Sequence, residues 1–154
     1  MIDDELLQFV SFRLGGQEFA VDILQLRRVL PYATPTPVDG APEFVAGTLR
    51  HDDATLFVLD LRDRLGLPAV VTPDTRLLVL EHGAAPMMLV VDAAREVVRV
   101  DATDIAAAPD VEGLTAGQAI GLISQPGRPL VILNPSRLLA PAERAALDAL
   151  LVTP

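Results

Sequence analysis

Apolar positions along this chain come in short runs separated by turns. The clearest run, Leu56-Phe57-Val58-Leu59, lies between the charged turn Arg50-His51-Asp52-Asp53 and the segment Asp60-Leu61-Arg62, which predicts a buried strand. The arrangement returns further along. Setting Gly121 under Gly47, a shift of 121 − 47 = 74, aligns Leu49 with Ile123, Leu56 with Leu130, Val58 with Ile132, Leu59 with Leu133 and Asp60 with Asn134 without a gap. A second pair of segments repeats as well. Phe12-Arg13-Leu14-Gly15-Gly16 followed by Phe19-Ala20-Val21-Asp22 has a counterpart in Val79-Leu80-Glu81-His82-Gly83 followed by Leu89-Val90-Val91-Asp92, two strands around a glycine turn in each case. Two repeats of this length are too few for a solenoid and suggest two small barrels.

The remaining pattern fills in the order of elements. Val10, Phe12 and Leu14 alternate with Ser11 and Arg13, as in a half-buried strand, and Gly15-Gly16 turns the chain back into Glu18–Ile23. Asp22 is placed to cap a short helical turn over Ile23–Leu30, with Leu26, Val29 and Leu30 on one face. Pro31, Pro35, Pro37 and Pro42 then enforce extended chain. Leu67–Asp74 reads as a connection, Thr75–Glu81 and Met87–Asp92 as a hairpin, and Glu96–Val100 as a further strand. Asp101–Pro109 holds one helical turn started by Thr103 or Asp104, Asp110–Gly117 is a loop, and Pro141–Val152 has the spacing of a closing helix. The expectation is a mainly β chain forming one domain over residues 1–154, with halves 8–68 and 75–139 and a C-terminal helix at 141–152.

Composition narrows the function. The chain has 154 residues, 51% of them hydrophobic, which is ample for a core. A net charge of −9, with arginine as the only cation, argues against nucleic acid, whose phosphates need clustered positive charge. Without cysteine there is no disulfide, thiolate nucleophile or zinc-thiolate site. The start, Met1-Ile2-Asp3-Asp4-Glu5, lacks the basic and apolar regions of a signal peptide, and no apolar stretch reaches membrane-spanning length. A cytoplasmic protein without direct membrane insertion is expected.

Reactive chemistry is sparse. His51 stands beside Asp52 and Asp53, an arrangement that suits a solvated hairpin tip better than a metal site or general base, and His82 is remote in sequence. Ser11, Ser124 and Ser136 lack the elbow or neighbouring base of a nucleophile, and no glycine-rich phosphate loop is present. Neither a catalytic, a cofactor nor a metal site is expected.

The segments FVSFRLGGQEFAVDILQLRRVL, PTPVDGAPEFVAGTLRHDDATLFVLDLRDRLG and IAAAPDV, with a final strand leading into NPSRLL, resemble the CheW family of coupling proteins of bacterial chemotaxis arrays, over about Phe9 to Leu139. The resemblance implies two SH3-like five-stranded β-barrels packed side by side and a non-catalytic adaptor. It also implies partners: the regulatory domain of a CheA-type histidine kinase and the cytoplasmic tip of a chemoreceptor. Leu26 and Val29 match the family's apolar docking positions, with Arg27 and Arg28 beside them, and Gly47 matches its glycine before the turn. Arg28 replaces a commonly acidic residue. The family's turn reads Asn-Leu-Arg-Gly, whereas these positions hold Arg50, His51, Asp52 and Asp53, so a carboxylate stands where an arginine is usual; Phe57 likewise stands for proline. These departures mark a divergent member with altered partner preference. Two other classes stay open at this level: a small-molecule-binding β-barrel module using an inter-barrel cleft and, last, a hydrolase or metalloenzyme.

Overall fold

A computed structural model describes residues 6–81, 86–125, 128–139 and 141–152. In chain order the strands are β1 (Leu7–Leu14), β2 (Gln17–Asp22), β3 (Leu26–Pro31), β4 (Val45–His51), β5 (Ala54–Leu59), β6 (Arg76–Leu80) and β7 (Met87–Val91). They continue with β8 (Ala93–Val100), β9 (Ile105–Ala106), β10 (Ala119–Gln125) and β11 (Arg128–Leu133), and helix α1 (Pro141–Val152) closes the chain. Two sheets result, ordered β8-β1-β2-β11-β10-β9 and β3-β6-β7-β5-β4. They are the two SH3-like barrels, the first extended to six strands by the two-residue β9.

The two orders are the same order. If β8 stands for β3, β1 for β6, β2 for β7, β11 for β5 and β10 for β4, every neighbour matches, including the parallel pairs β2–β11 and β7–β5. Even β9 has a counterpart, the bridge between Thr36 and Thr48, since Ala106 pairs with Leu122 and 48 + 74 = 122. The sheets therefore do not follow the expected division into 8–68 and 75–139. Hairpin β1–β2 joins β8 to β11, while hairpin β6–β7 joins β3 to β5, so the two repeats exchange hairpins and each barrel contains chain from both.

Register confirms the 74-residue shift and corrects the second alignment. Val45 faces Leu59 and Gly47 faces Val58, and Ala119 faces Leu133 and Gly121 faces Ile132, with a bulge at the same place in each ladder. In the hairpins, however, Ile132 faces Ala20 as Val58 faces Met88, so Phe12 opposite Phe19 corresponds to Leu80 opposite Met87 and not to Val79. One residue of slip would have turned every side chain to the other face. The glycines misled because the β1–β2 turn is only two residues long, Leu14 facing Gln17, whereas Leu80 to Met87 spans a longer connection.

Three clusters hold these sheets together. The largest lies between them and gathers Phe12, Leu14, Phe19 and Val21 from one sheet against Phe57, Leu59, Leu78, Leu80 and Leu89 from the other, joined by Leu147 of α1. Phe9, Val98, Ile123, Leu130 and Ile132 fill one barrel, and Leu56, Val58, Leu77, Val79, Met88 and Val90 fill the other. Central strands are thus covered on both faces, which is why β7 is apolar throughout.

The same geometry overturns the reading of Leu6 to Leu14 as a half-buried strand. Ser11 is fully buried: β8 bulges opposite it, and the hydroxyl donates to Glu96 O and accepts from Glu96 N, both at 3.1 Å. A small hydroxyl satisfies the backbone that the bulge leaves unpaired.

Two helical expectations shrink. Asp22 does cap, accepting from Leu24 N at 2.9 Å, but the turn is a 3₁₀ segment over Ile23–Gln25 that passes into β3. Likewise only Ala102–Asp104 forms a 3₁₀ turn before β9, and its N-cap is Asp101. Pairing of β3 with β6 outweighs a three-residue helical nucleus, which has little stability of its own.

Candidate docking surface

The segment leading into β3 is pinned from both sides, by the Asp22 cap and by Glu81 N donating to Gln25 O at 2.8 Å. Leu24, between these anchors, is 88% exposed. It is the most exposed large apolar residue described, and the sequence reading missed it because a helical face over Ile23–Leu30 was built from Leu26, Val29 and Leu30. Leu26 is half-buried and packs against the central cluster; Val29 is 44% exposed.

Why Leu26 and Val29 look helical in sequence follows from a bulge. Leu26 faces Leu80 and Val29 faces Leu78, with a register shift between Leu26 and Arg28, so residues three apart lie on one side of the sheet. Leu30 points into its barrel with Tyr32. Arg27 pairs with Glu81 at 3.2 Å, both side chains roughly half exposed, and Arg28 is exposed beside it. The 3₁₀ turn thus exposes Leu24, and the edge strand after it exposes Arg27, Arg28 and Val29.

The β4–β5 turn forms a second group. His51 faces Ala54, leaving Asp52 at φ 51° and Asp53 at φ 64° as a two-residue type I′ hairpin loop. Aspartate tolerates this left-handed backbone better than most residues, though less well than glycine. His51 is largely covered, with Nε2 at 3.4 Å from Asp52 Oδ2, while Arg50, Asp52 and Asp53 are exposed. Strands β3 and β4 are opposite edges of one sheet, and no described hydrogen bond or ion pair links the β3 group to the turn. Gly47 is buried: a Cβ there would stand 2.2 Å from Thr36 O, so this glycine admits the crossing strand segment and offers no side chain to a partner.

Between these groups the motif Asp60-Leu61-Arg62 does structural work. Arg62, 2% exposed, places Nε and Nη2 on Asp60 at 2.9 and 2.8 Å, and Nη1 on Asp92 Oδ1 at 2.9 Å and Val70 O at 3.0 Å. The hydrogen bonds it donates to Asp60, reinforced by Asp92, hold its pKa above the ordinary arginine value against the opposing effect of burial. Asn134, the counterpart of Asp60, also accepts from the backbone two residues on, at Ser136 N, but carries no such arginine.

Among the described residues no three His, Asp or Glu side chains gather closely enough to hold a metal ion, and no helix is long and apolar enough to cross a membrane. His82 lies outside the described residues.

The CheW-like domain family matches residues 8–143. The chain belongs to that family. Chemotaxis protein CheW of Rhizobium meliloti (strain 1021) is 29% identical over 142 residues, covering 90% of this chain and 91% of the relative. Chemotaxis protein CheW of Bacillus subtilis (strain 168) is 27% identical over 134 residues, 86% of each. The fold is shared with the scaffolding protein TtCheW from Thermoanaerobacter tengcongensis, at a TM-score of 0.77 and 24% identity, over 84% of this chain and 90% of that one. As a family member the chain is a non-catalytic coupling adaptor of chemotaxis signalling.

Proposed function

We propose that this adaptor joins the regulatory domain of a CheA-type histidine kinase to the cytoplasmic tip of a chemoreceptor, working in the cytoplasm. Its docking surface comprises Leu24, Leu26, Arg27, Arg28 and Val29, and the Arg50-His51-Asp52-Asp53 turn selects among partners. The observation that carries this reading is Leu24, 88% exposed on a turn pinned at both ends. An apolar anchor with little conformational freedom to lose is what a binding hot spot requires. Arg27 is balanced by Glu81, but Arg28 is exposed beside it, so an acidic group on the partner's rim complements this edge.

Buried side chains fill the interiors of both barrels, which argues against a ligand held inside either one. Titrating the purified chain with a CheA regulatory domain tests the proposal. Saturable binding that is lost in Leu24→Ser and weakened by salt is expected; binding indifferent to Leu24, Val29 and Arg28 substitutions moves the docking surface elsewhere.

A further inference from the structure

We infer that a cavity beneath the start of α1 binds a small organic anion. The cavity, of about 360 Å³, is lined by Arg64 from the segment after β5, Thr115, Ala116 and Gln118 from the loop before β10, Arg137 and Leu139 from the segment after β11, and Glu143 of α1. Its polar lining consists mainly of donors. Arg64 lies over the Phe44 ring at 3.9 Å and reaches Glu143 at 3.4 Å, so its guanidinium is held at the site from two sides. Arg137 has no acidic partner among the described residues.

Gln118 adds a built element. It is 4% exposed, its Oε1 accepts from Thr115 N at 2.8 Å, and its Nε2 donates to Arg137 O at 3.2 Å. An amide nitrogen has two hydrogens, so one remains for a ligand acceptor. Two guanidinium groups and an amide donor against one carboxylate leave the cavity net positive in a strongly acidic protein. Planar guanidinium forks match a carboxylate or phosphate head, and Leu139 and Ala116 give a short apolar tail something to cover. Glu143 occupies part of the donor set and competes with the ligand.

The competition makes the site testable in the intact chain. Amide and arginine Nε–H resonances are followed while succinate or inorganic phosphate is added at constant ionic strength, the two arms separating carboxylate from phosphate recognition. Saturable shifts centred on Thr115–Gln118, Arg64 and Arg137 are expected with at least one probe, together with a higher melting temperature, because the ligand bridges three segments. Arg137→Ala, whose side chain is exposed, should weaken binding about tenfold or more, the effect of losing a charge-assisted hydrogen bond. Glu143→Gln should tighten it about two- to fivefold, because the half-buried ion pair with Arg64 no longer competes. Shifts that never saturate with either probe, affinity unchanged in Arg137→Ala, or weaker binding in Glu143→Gln would each overturn the proposal.

Discussion

The guanidinium of Arg62 and the carboxylate of Asp92, 30 residues apart in the chain, meet at 2.9 Å with almost no solvent access to the arginine. Asp92 follows β7 and also accepts from Gly15 N in the β1–β2 turn, while Asp60 closes the ends of β5. Asp92 therefore joins the exchanged hairpins, and Arg62 fastens it to Asp60 at the end of β5. Replacing it with Met leaves two carboxylates facing each other without a cation and should destabilise the fold by about 3 kcal/mol, read from the urea midpoint. Lysine cannot reproduce the fork and should recover only part of this.

The pH dependence of that tie follows from the raised arginine pKa. A cation whose folded pKa lies above its unfolded one contributes fully below the unfolded value and loses the contribution only as pH rises through the folded one. The stability gap between the natural chain and Arg62→Met should therefore persist from neutrality to about pH 11, below the ordinary range of arginine. A gap that closes by pH 9 would show that the guanidinium is not the stabilising group.

At the β4–β5 turn, backbone and charge make separate predictions. Glycine suits the φ of 64° at Asp53, so Asp53→Gly should stabilise by about 0.5–1 kcal/mol. Asp52→Asn keeps a residue that accepts the left-handed backbone and removes the charge, while Asp52→Arg reverses the charge at a conformational cost of about 1 kcal/mol. Affinity for a standard CheA regulatory domain or receptor tip at low salt should rise in the order Asp52, Asn, Arg, by about tenfold or more overall, and the differences should shrink as salt is added. No change in either affinity places the turn outside the interface.

Leu24 and Leu26 should separate binding from folding. Leu26 packs against the central cluster, so Leu26→Ala should cost about 2 kcal/mol of stability. Leu24→Ser removes an exposed side chain and should leave the melting temperature nearly unchanged while weakening partner binding by about 2 kcal/mol or more. Equal stability losses would return both residues to a purely structural role.

The gapless repeat of β4–β5 in β10–β11 could be read from sequence because register, bulge and flanking polar residue all recur 74 positions apart. The hairpin exchange could not. Each half contains the same strands whether it closes on itself or trades hairpins, and only long-range pairing such as Leu130 with Glu18 decides between them. The β3 surface was half legible: Leu26 and Val29 share a side as expected, but a bulge and not a helix puts them there, so the turn that displays Leu24 went unnoticed. The role of Arg62 was hidden for a similar reason, since Asp92 is distant in sequence and nothing local marks it as a partner.

The two bulge glycines provide the last test, because they are equivalent in register but not in surroundings. At Gly47, φ is 148° and an added Cβ would meet the backbone oxygen of Thr36 at 2.2 Å, which cannot yield without breaking the Thr36–Thr48 bridge, made in both directions at 2.9 Å. At Gly121 the nearest atom is the side-chain Cγ2 of Ile105 at 2.8 Å, on the short strand β9, and a side chain can turn away. Gly47→Ala should therefore cost about 3 kcal/mol or more, combining an unfavourable backbone conformation with overpacking, and Gly121→Ala about 1–2 kcal/mol. Denaturant midpoints of the two single variants and the double variant measure this directly, and near-additive losses are expected because the sites lie in different barrels. Equal costs at the two positions would mean that the Thr36 carbonyl gives way as readily as an isoleucine methyl, and that the strand crossing at Gly47 is not what requires glycine there.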